Sequence, residues 1–355
     1  MRGKRRNSPE LPDASAGTPE ERRERARQDF TFFRRAYFPH YCLVGGDSRL
    51  HEWLDAELPR MADAPEGVRL AIAAPRGEAK STFVSLFFVL WAVLTGRKHY
   101  ILIIADALEQ AASLLGAVKD ELEFNEALKR DFPGAGKGHV WNVGTVVTPG
   151  NVKIQALGAG KRMRGLRHGP HRPDLIVLDD LENDGNVDKP EQRDKLQSWL
   201  QKTVLNLGAA DGSMDVVYVG TLLHYDSVLA RTLRKPLWKA RTFRSILRWP
   251  DRMDLWDEWE SLLSSRGGAE ARRFYRQHRA KMEAGAEVSW PASRPLYRLM
   301  CLRAEDREAF DSEQQNDPLS ANEAPFNGCI TFWVDRSRDW LLFGAVDPSL
   351  GKQGA

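Results

Sequence analysis

Ala74-Pro75-Arg76-Gly77-Glu78-Ala79-Lys80-Ser81-Thr82 lies between the apolar residues 68–73 and the apolar residues 83–90. An apolar run, a short loop ending in Lys-Ser-Thr and a second apolar run predict strand, tight turn and helix start. In such a turn the backbone N–H groups and the helix N-terminus cradle phosphate. Lys80 then neutralises the β and γ phosphates of ATP, Ser81 ligates Mg²⁺, and Thr82 is the neighbouring hydroxyl. The loop lacks both glycines of the G-x-x-x-x-G-K-[ST] pattern. Ala79 is expected to replace glycine only if its φ stays negative. Arg76 adds a second cation beside the pocket, with a surface ion pair as its other possible role.

With 355 residues, the chain is long enough for one large or two medium domains. Its net charge of +3 is too small to argue nucleic-acid binding by itself, so the distribution of charge has to carry that argument. Cys42, Cys301 and Cys329 are far apart, without C-x-x-C spacing, which points to neither a zinc site nor a disulfide framework and suits a reducing cytoplasm. Residues 1–27 are polar, with Lys4-Arg5-Arg6 and no apolar centre, and read as a disordered basic arm rather than a secretory signal. The most apolar run, 83–94, is shorter than the roughly 20 residues that cross a bilayer and reads as a buried helix, so no membrane role is expected.

The rest alternates strand and helix signals. Residues 28–41 and 48–61 read as helices, the second with Ser48 as N-cap. Strands are predicted at 69–74, 100–105, 152–156, 174–178 and 215–220, with helices at 81–94, 107–124 and 189–204. This order predicts an α/β fold with a mostly parallel sheet covered on both faces. Ligands of such sheets bind beyond the carboxyl ends of the strands, where the loops after residues 74, 178 and 220 converge. The resulting division is an ATPase-type domain at 28–254, a polar helical segment and linker at 255–328, irregular from 310, and a strand pair opening a second domain at 329–355. One strand pair cannot bury a core of its own, so that domain is expected to be unfinished.

Four further elements carry chemistry. Leu175-Ile176-Val177-Leu178 runs into Asp179-Asp180-Leu181-Glu182. Asp179 is placed to hold the water shell of Mg²⁺, and either Asp180 or Glu182 to polarise the attacking water. Gly220-Thr221 ends another apolar run, where Thr221 is a γ-phosphate sensor or a turn residue. The basic stretch 161–172 offers Arg164, beside Gly165, as a cation for the transferring phosphoryl group, in cis or toward a neighbouring subunit, or for a DNA backbone; a solvated loop is the alternative. Asp347 ends the last apolar run as a turn residue or a nuclease metal ligand.

In this order the pieces resemble the large terminase subunit of tailed bacteriophages and prophages. The resemblance is carried by residues 48–51, the 74–82 loop in its P-R-G-x-x-K-S-T form, Arg164-Gly165, residues 179–184, residues 220–224 and Glu313-Gln314-Gln315-Asn316-Asp317-Pro318. It implies an additional-strand P-loop ATPase domain followed by a ribonuclease H-like nuclease that uses Mg²⁺ or Mn²⁺, truncated here, with Asp347 matching its first metal-binding acid. Many members carry a glutamate where this chain has Asp180. The activity implied is ATP-driven packaging of double-stranded DNA by a homo-oligomeric ring, with a small terminase subunit and the portal protein as partners, in the host cytoplasm. Another P-loop translocase or helicase, or a prophage remnant that does not hydrolyse ATP, is the alternative.

Overall fold

The computed structural model describes residues 17–42 and 45–318. Helices α1 (Pro19–Gln28), α2 (Phe30–Tyr37) and α3 (Arg49–Ala62) precede strand β1 (Arg69–Ala73). After the Lys80 loop, π-type turns over Thr82–Phe88 continue as α4 (Val89–Leu94) and lead to β2 (Tyr100–Ala105), α5 (Leu108–Phe124) and α6 (Glu126–Asp131). Then come β3 (Val140–Trp141), β4 (Thr145–Val147), β5 (Lys153–Gly158), β6 (Leu175–Asp179), α7 (Asp184–Val187), α8 (Pro190–Lys202), β7 (Asp215–Gly220), α9 (Val228–Leu233), β8 (Lys239–Thr242) and β9 (Ile246–Arg248). The described chain ends with α10 (Met253–Arg266), α11 (Gly268–Met282), β10 (Glu287–Val288), α12 (Leu296–Glu305) and α13 (Arg307–Gln315).

The main sheet has eight strands in the order β3-β4-β5-β2-β6-β7-β1-β8, with β3–β4 and β4–β5 antiparallel and the other neighbours parallel. The fold is therefore mixed α/β with a mostly parallel sheet. Both faces are covered. Leu70, Ile72, Ile101, Ile103, Val177 and Val217 join one apolar cluster, whereas Ala71, Leu102, Ile104, Ile176, Val216 and Tyr218 join a second. Burial on both sides explains why these strands read as unbroken apolar runs. β7 is interposed between β1 and β6, so the lysine loop and the acidic strand end are held one strand apart.

Several expectations are corrected. Residues 19–28 form α1, capped by Thr18 and Glu21 and tied to α6 by Arg22 and Asp131, where the sequence suggests disorder up to residue 27. Residues 307–315 form α13, not an irregular connection. The segment from 253 onward has its own apolar cluster around Trp256, Trp259, Leu299, Met300 and Phe310. The expected second domain at 329–355, including Asp347, lies outside the described residues. Among the described residues no helix is long and apolar enough to cross a membrane.

Candidate functional site

The site grows from the end of β1. Ala73 is paired with Gly220 of β7, and the Asp180 N–H donates to Val219 O at 3.0 Å, so three loops leave the sheet at one level. Gly77 has φ +78 and Ala79 has φ +55. The alanine is thus left-handed, contrary to the negative φ expected of it, a conformation that costs about 1–2 kcal/mol without a glycine. Neighbours hold it there. Buried His51 donates from Nε2 to Glu78 O at 2.9 Å and stacks on Phe83 at 4.3 Å, and the Phe83 N–H donates to Ala79 O at 3.0 Å. His51 is itself fixed by its capping box with Ser48.

This turn aims Lys80 inward. Its Nζ lies 3.2 Å from Asp180 Oδ2 and 3.2 Å from Thr221 Oγ1, and Thr221 donates to Ala74 O at 3.2 Å. Ser81 Oγ donates to Asp179 Oδ1 at 2.9 Å, and Ser85, one turn later, donates to Oδ2 at 2.5 Å. Asp179 is 1% exposed. Burial first, and then the neighbouring Asp180 charge, push its carboxyl up to about 6, against the hydroxyls of Ser85 and Ser81 and the charge of Lys80. Asp180 itself has φ +46, which turns its carboxylate back toward Lys80. Gly220 makes room for this turn, because a Cβ there would meet Asp180 Oδ1 at 3.3 Å and Leu229 Cδ2 at 3.2 Å.

Glu182 has a different employment. Its carboxylate accepts from the N–H groups of Val228 at 2.7 Å and Leu229 at 3.0 Å, at the start of α9, and from Tyr218 Oη at 3.2 Å. Burial raises its pKa even against those donors. It serves as a helix anchor, which leaves Asp180 as the acid beside Lys80. Arg164 is exposed and does not line the cleft that Arg76, Lys80, Asp180, Glu182, Thr221 and Glu313 border. That cleft holds about 200 Å³.

The phosphate-type loop is also gripped from the C-terminal helical segment. Arg76 forms an ion pair with Glu313 of α13, and its N–H donates to Glu313 O at 2.9 Å. Glu78 is fully buried, and Ser289 Oγ donates to its Oε2 at 3.3 Å. A Cβ on Gly77 would meet Arg294 Nη2 at 1.9 Å. Thus the loop brings Lys80 and Ser81 to the acids, while Arg76, Gly77 and Glu78 are framed by Glu313, Arg294 and Ser289. Thr82 starts the helix behind them.

Ser85, Arg294 and the grip of Glu313 escape a sequence reading. Ser85 sits within an apolar run as one of its small residues, and Arg294 and Glu313 act across more than 200 positions of chain. A hydroxyl one helical turn after Ser81 is the signal that finds Ser85.

No protein-family model and no curated protein sequence matches this chain. Among solved structures, the large terminase ATPase domain of Thermus phage P74-26 has 15% sequence identity over 74% of this chain and 92% of its own, with a TM-score of 0.37. A mutant of the same domain has 14% identity over 72% and 90%, with a TM-score of 0.36. A superposition that loose bears on neither activity nor partners.

Proposed function

We propose that this chain is a Mg²⁺-dependent ATPase of the large terminase kind, a motor that drives double-stranded DNA into a capsid. One observation carries the ATPase reading. Lys80 Nζ lies 3.2 Å from both Asp180 and Thr221 while Ser81 Oγ lies 2.9 Å from Asp179, all beyond the carboxyl ends of adjacent strands. A cation, two hydroxyls and two carboxylates on three converging loops are what phosphoryl transfer to water uses.

The donor set fits magnesium. Ser81 Oγ and Asp179 Oδ1 are two oxygen donors 2.9 Å apart, and Mg²⁺ takes one or two protein oxygens with waters and phosphates completing its shell. Ser81 and Asp179 would hold it, and it would supply charge neutralisation for the β and γ phosphates. In the protein itself, Lys80 is shared between Asp180 and Thr221, so phosphate entering the cleft competes with Asp180 for the ammonium. Asp180 released in this way can accept a proton from the attacking water, while Thr221 donates to, and senses, the terminal phosphate.

The partners in this reading are double-stranded DNA, a small terminase subunit, the portal and further copies of the chain in a ring, in the host cytoplasm. They rest on the order of the sequence motifs, as does a nuclease half with Asp347 and Mg²⁺ or Mn²⁺. Arg164, exposed beside Gly165, is available to a neighbouring subunit or to DNA.

Steady-state phosphate release from ATP with Mg²⁺ tests the reading. Lys80→Ala is expected to lower turnover by about 100-fold or more while the protein stays folded by circular dichroism, on the scale of removing one stabilising donor from a transition state. Turnover equal to the parent protein would overturn the assignment.

A further inference from the structure

On the far side of β1 from the acids, the edge strand β8 and helix α3 border an open groove of about 590 Å³. Its cations are Arg49 and Arg60 on α3 and Arg241 and Arg244 on the β8 side, against Glu52 and Glu57. Both acids are already matched: Glu57 by Arg60 and Lys239, Glu52 by Arg49. Among the described residues neither Arg241 nor Arg244 forms an ion pair, and both are exposed. Trp53 and Phe243 lie in the same groove with their ring centroids 5.7 Å apart, and the Arg241 guanidinium stands 5.8 Å from the Phe243 ring.

Cations along an edge strand often do no more than keep that edge from pairing with another chain. That purpose would suffice for Lys239 and Arg241 taken by themselves. It does not explain Arg49 and Arg60, which sit on a helix and face the same groove. These two are 56% and 72% exposed; Arg49 pairs with the exposed Glu52 and Glu287, contacts that contribute little and exchange readily, and Arg60 shares the buried Glu57 with Lys239. Eleven residues of helix separate them, about 16 Å of axis. At roughly 3.4 Å of rise per phosphate in one strand of a duplex, the groove spans about five nucleotides. The planar guanidinium fork also matches phosphate oxygens better than a lysine does.

We infer that the groove between α3 and β8 is a sequence-independent contact for the sugar-phosphate backbone of duplex DNA, with Arg241 and Arg244 as its principal cations. The inference rests on the motor reading above for the choice of duplex DNA, and its test is independent of nucleotide turnover. Contact at this edge would load the strand next to β1, which carries the lysine loop at its carboxyl end.

Fluorescence anisotropy with a labelled random-sequence duplex, measured without nucleotide across a salt series, decides the matter. The Arg241→Gln/Arg244→Gln double variant is expected to bind about 10- to 100-fold more weakly at 0.1 M salt, and its log–log salt slope is expected to fall by about 2. Basal ATP turnover and melting temperature stay at parental values. Arg49→Gln/Arg60→Gln gives a smaller loss in the same direction. An unchanged affinity and slope in the double variant would overturn the inference, as would a parent protein that binds poly-glutamate in this groove and not the duplex. If Lys80→Ala leaves turnover intact while the anisotropy result holds, the ATPase reading fails and the groove stands.

Discussion

Two buried aspartates, Asp131 and Asp179, are treated in opposite ways. Asp131, at the end of α6, accepts from Arg22 Nε at 2.7 Å, Arg130 Nε at 2.8 Å and Tyr37 Oη at 2.8 Å. Burial alone would raise its pKa, but these donors outweigh burial and hold the carboxyl well below the usual carboxylate range. Asp179 is as deeply buried and receives two neutral hydroxyls and no ion pair among the described residues. Its pKa goes up. A carboxylate that serves the fold is neutralised by the fold; one left short of positive charge beside a phosphate-type loop is suited to a ligand that brings its own.

The difference can be broken at either end, and the largest effect is expected on catalysis. Asp180→Asn should lower ATP turnover by about 10²- to 10⁴-fold, the range for loss of a general base, whereas Glu182→Gln should chiefly loosen α9 and lower the melting temperature. The reverse pattern in phosphate-release and melting assays would give Glu182 the water-activating role.

Next in size is the structural aspartate. Asp131→Ala removes the carboxylate that Arg22, Arg130 and Tyr37 share and should cost about 1–3 kcal/mol of unfolding free energy by urea titration, a sizeable part of a domain's stability. A loss below about 1 kcal/mol would show that α1 is not held by this cluster.

The smallest effect has the opposite sign. The stability contribution of Asp131 is full above the unfolded carboxylate value and is lost as pH falls toward its lower folded value. That of Asp179 is full below its unfolded value of 3.8 and is lost as pH rises through about 6. Asp179→Asn should therefore stabilise the protein by roughly 1–3 kcal/mol at pH 7.5, with the gain gone below about pH 4. A destabilised variant at pH 7.5 in chelator-treated buffer would refute the raised pKa.

The same contrast explains what the sequence makes legible. The strands Tyr100–Ala105 and Asp215–Gly220 are covered on both faces, so each leaves an apolar run with clear ends. The meeting of Lys80, Ser81, Asp179, Asp180 and Thr221 at one edge of the sheet is readable because each follows such a run. Helix α1 was not, since much of its hold comes from Arg22 meeting Asp131, 109 residues away, and its own sequence is polar. β8 is fully exposed along Lys239–Thr242 and has no alternation to detect, and its place follows from pairing with β1. The role of Glu182 was ambiguous for a similar reason, because its partners Val228 and Leu229 belong to a helix that no local pattern links to the acids.

Ala79 has a last consequence, for conformational entropy. A glycine in that position would leave the unfolded or unliganded loop many backbone states to lose when a ligand binds, and alanine has far fewer. The left-handed turn, secured by His51 through Glu78 O, has therefore met most of its ordering cost during folding. A loop poor in glycine can be the quicker to close on its ligand, because little of its freedom remains to be lost.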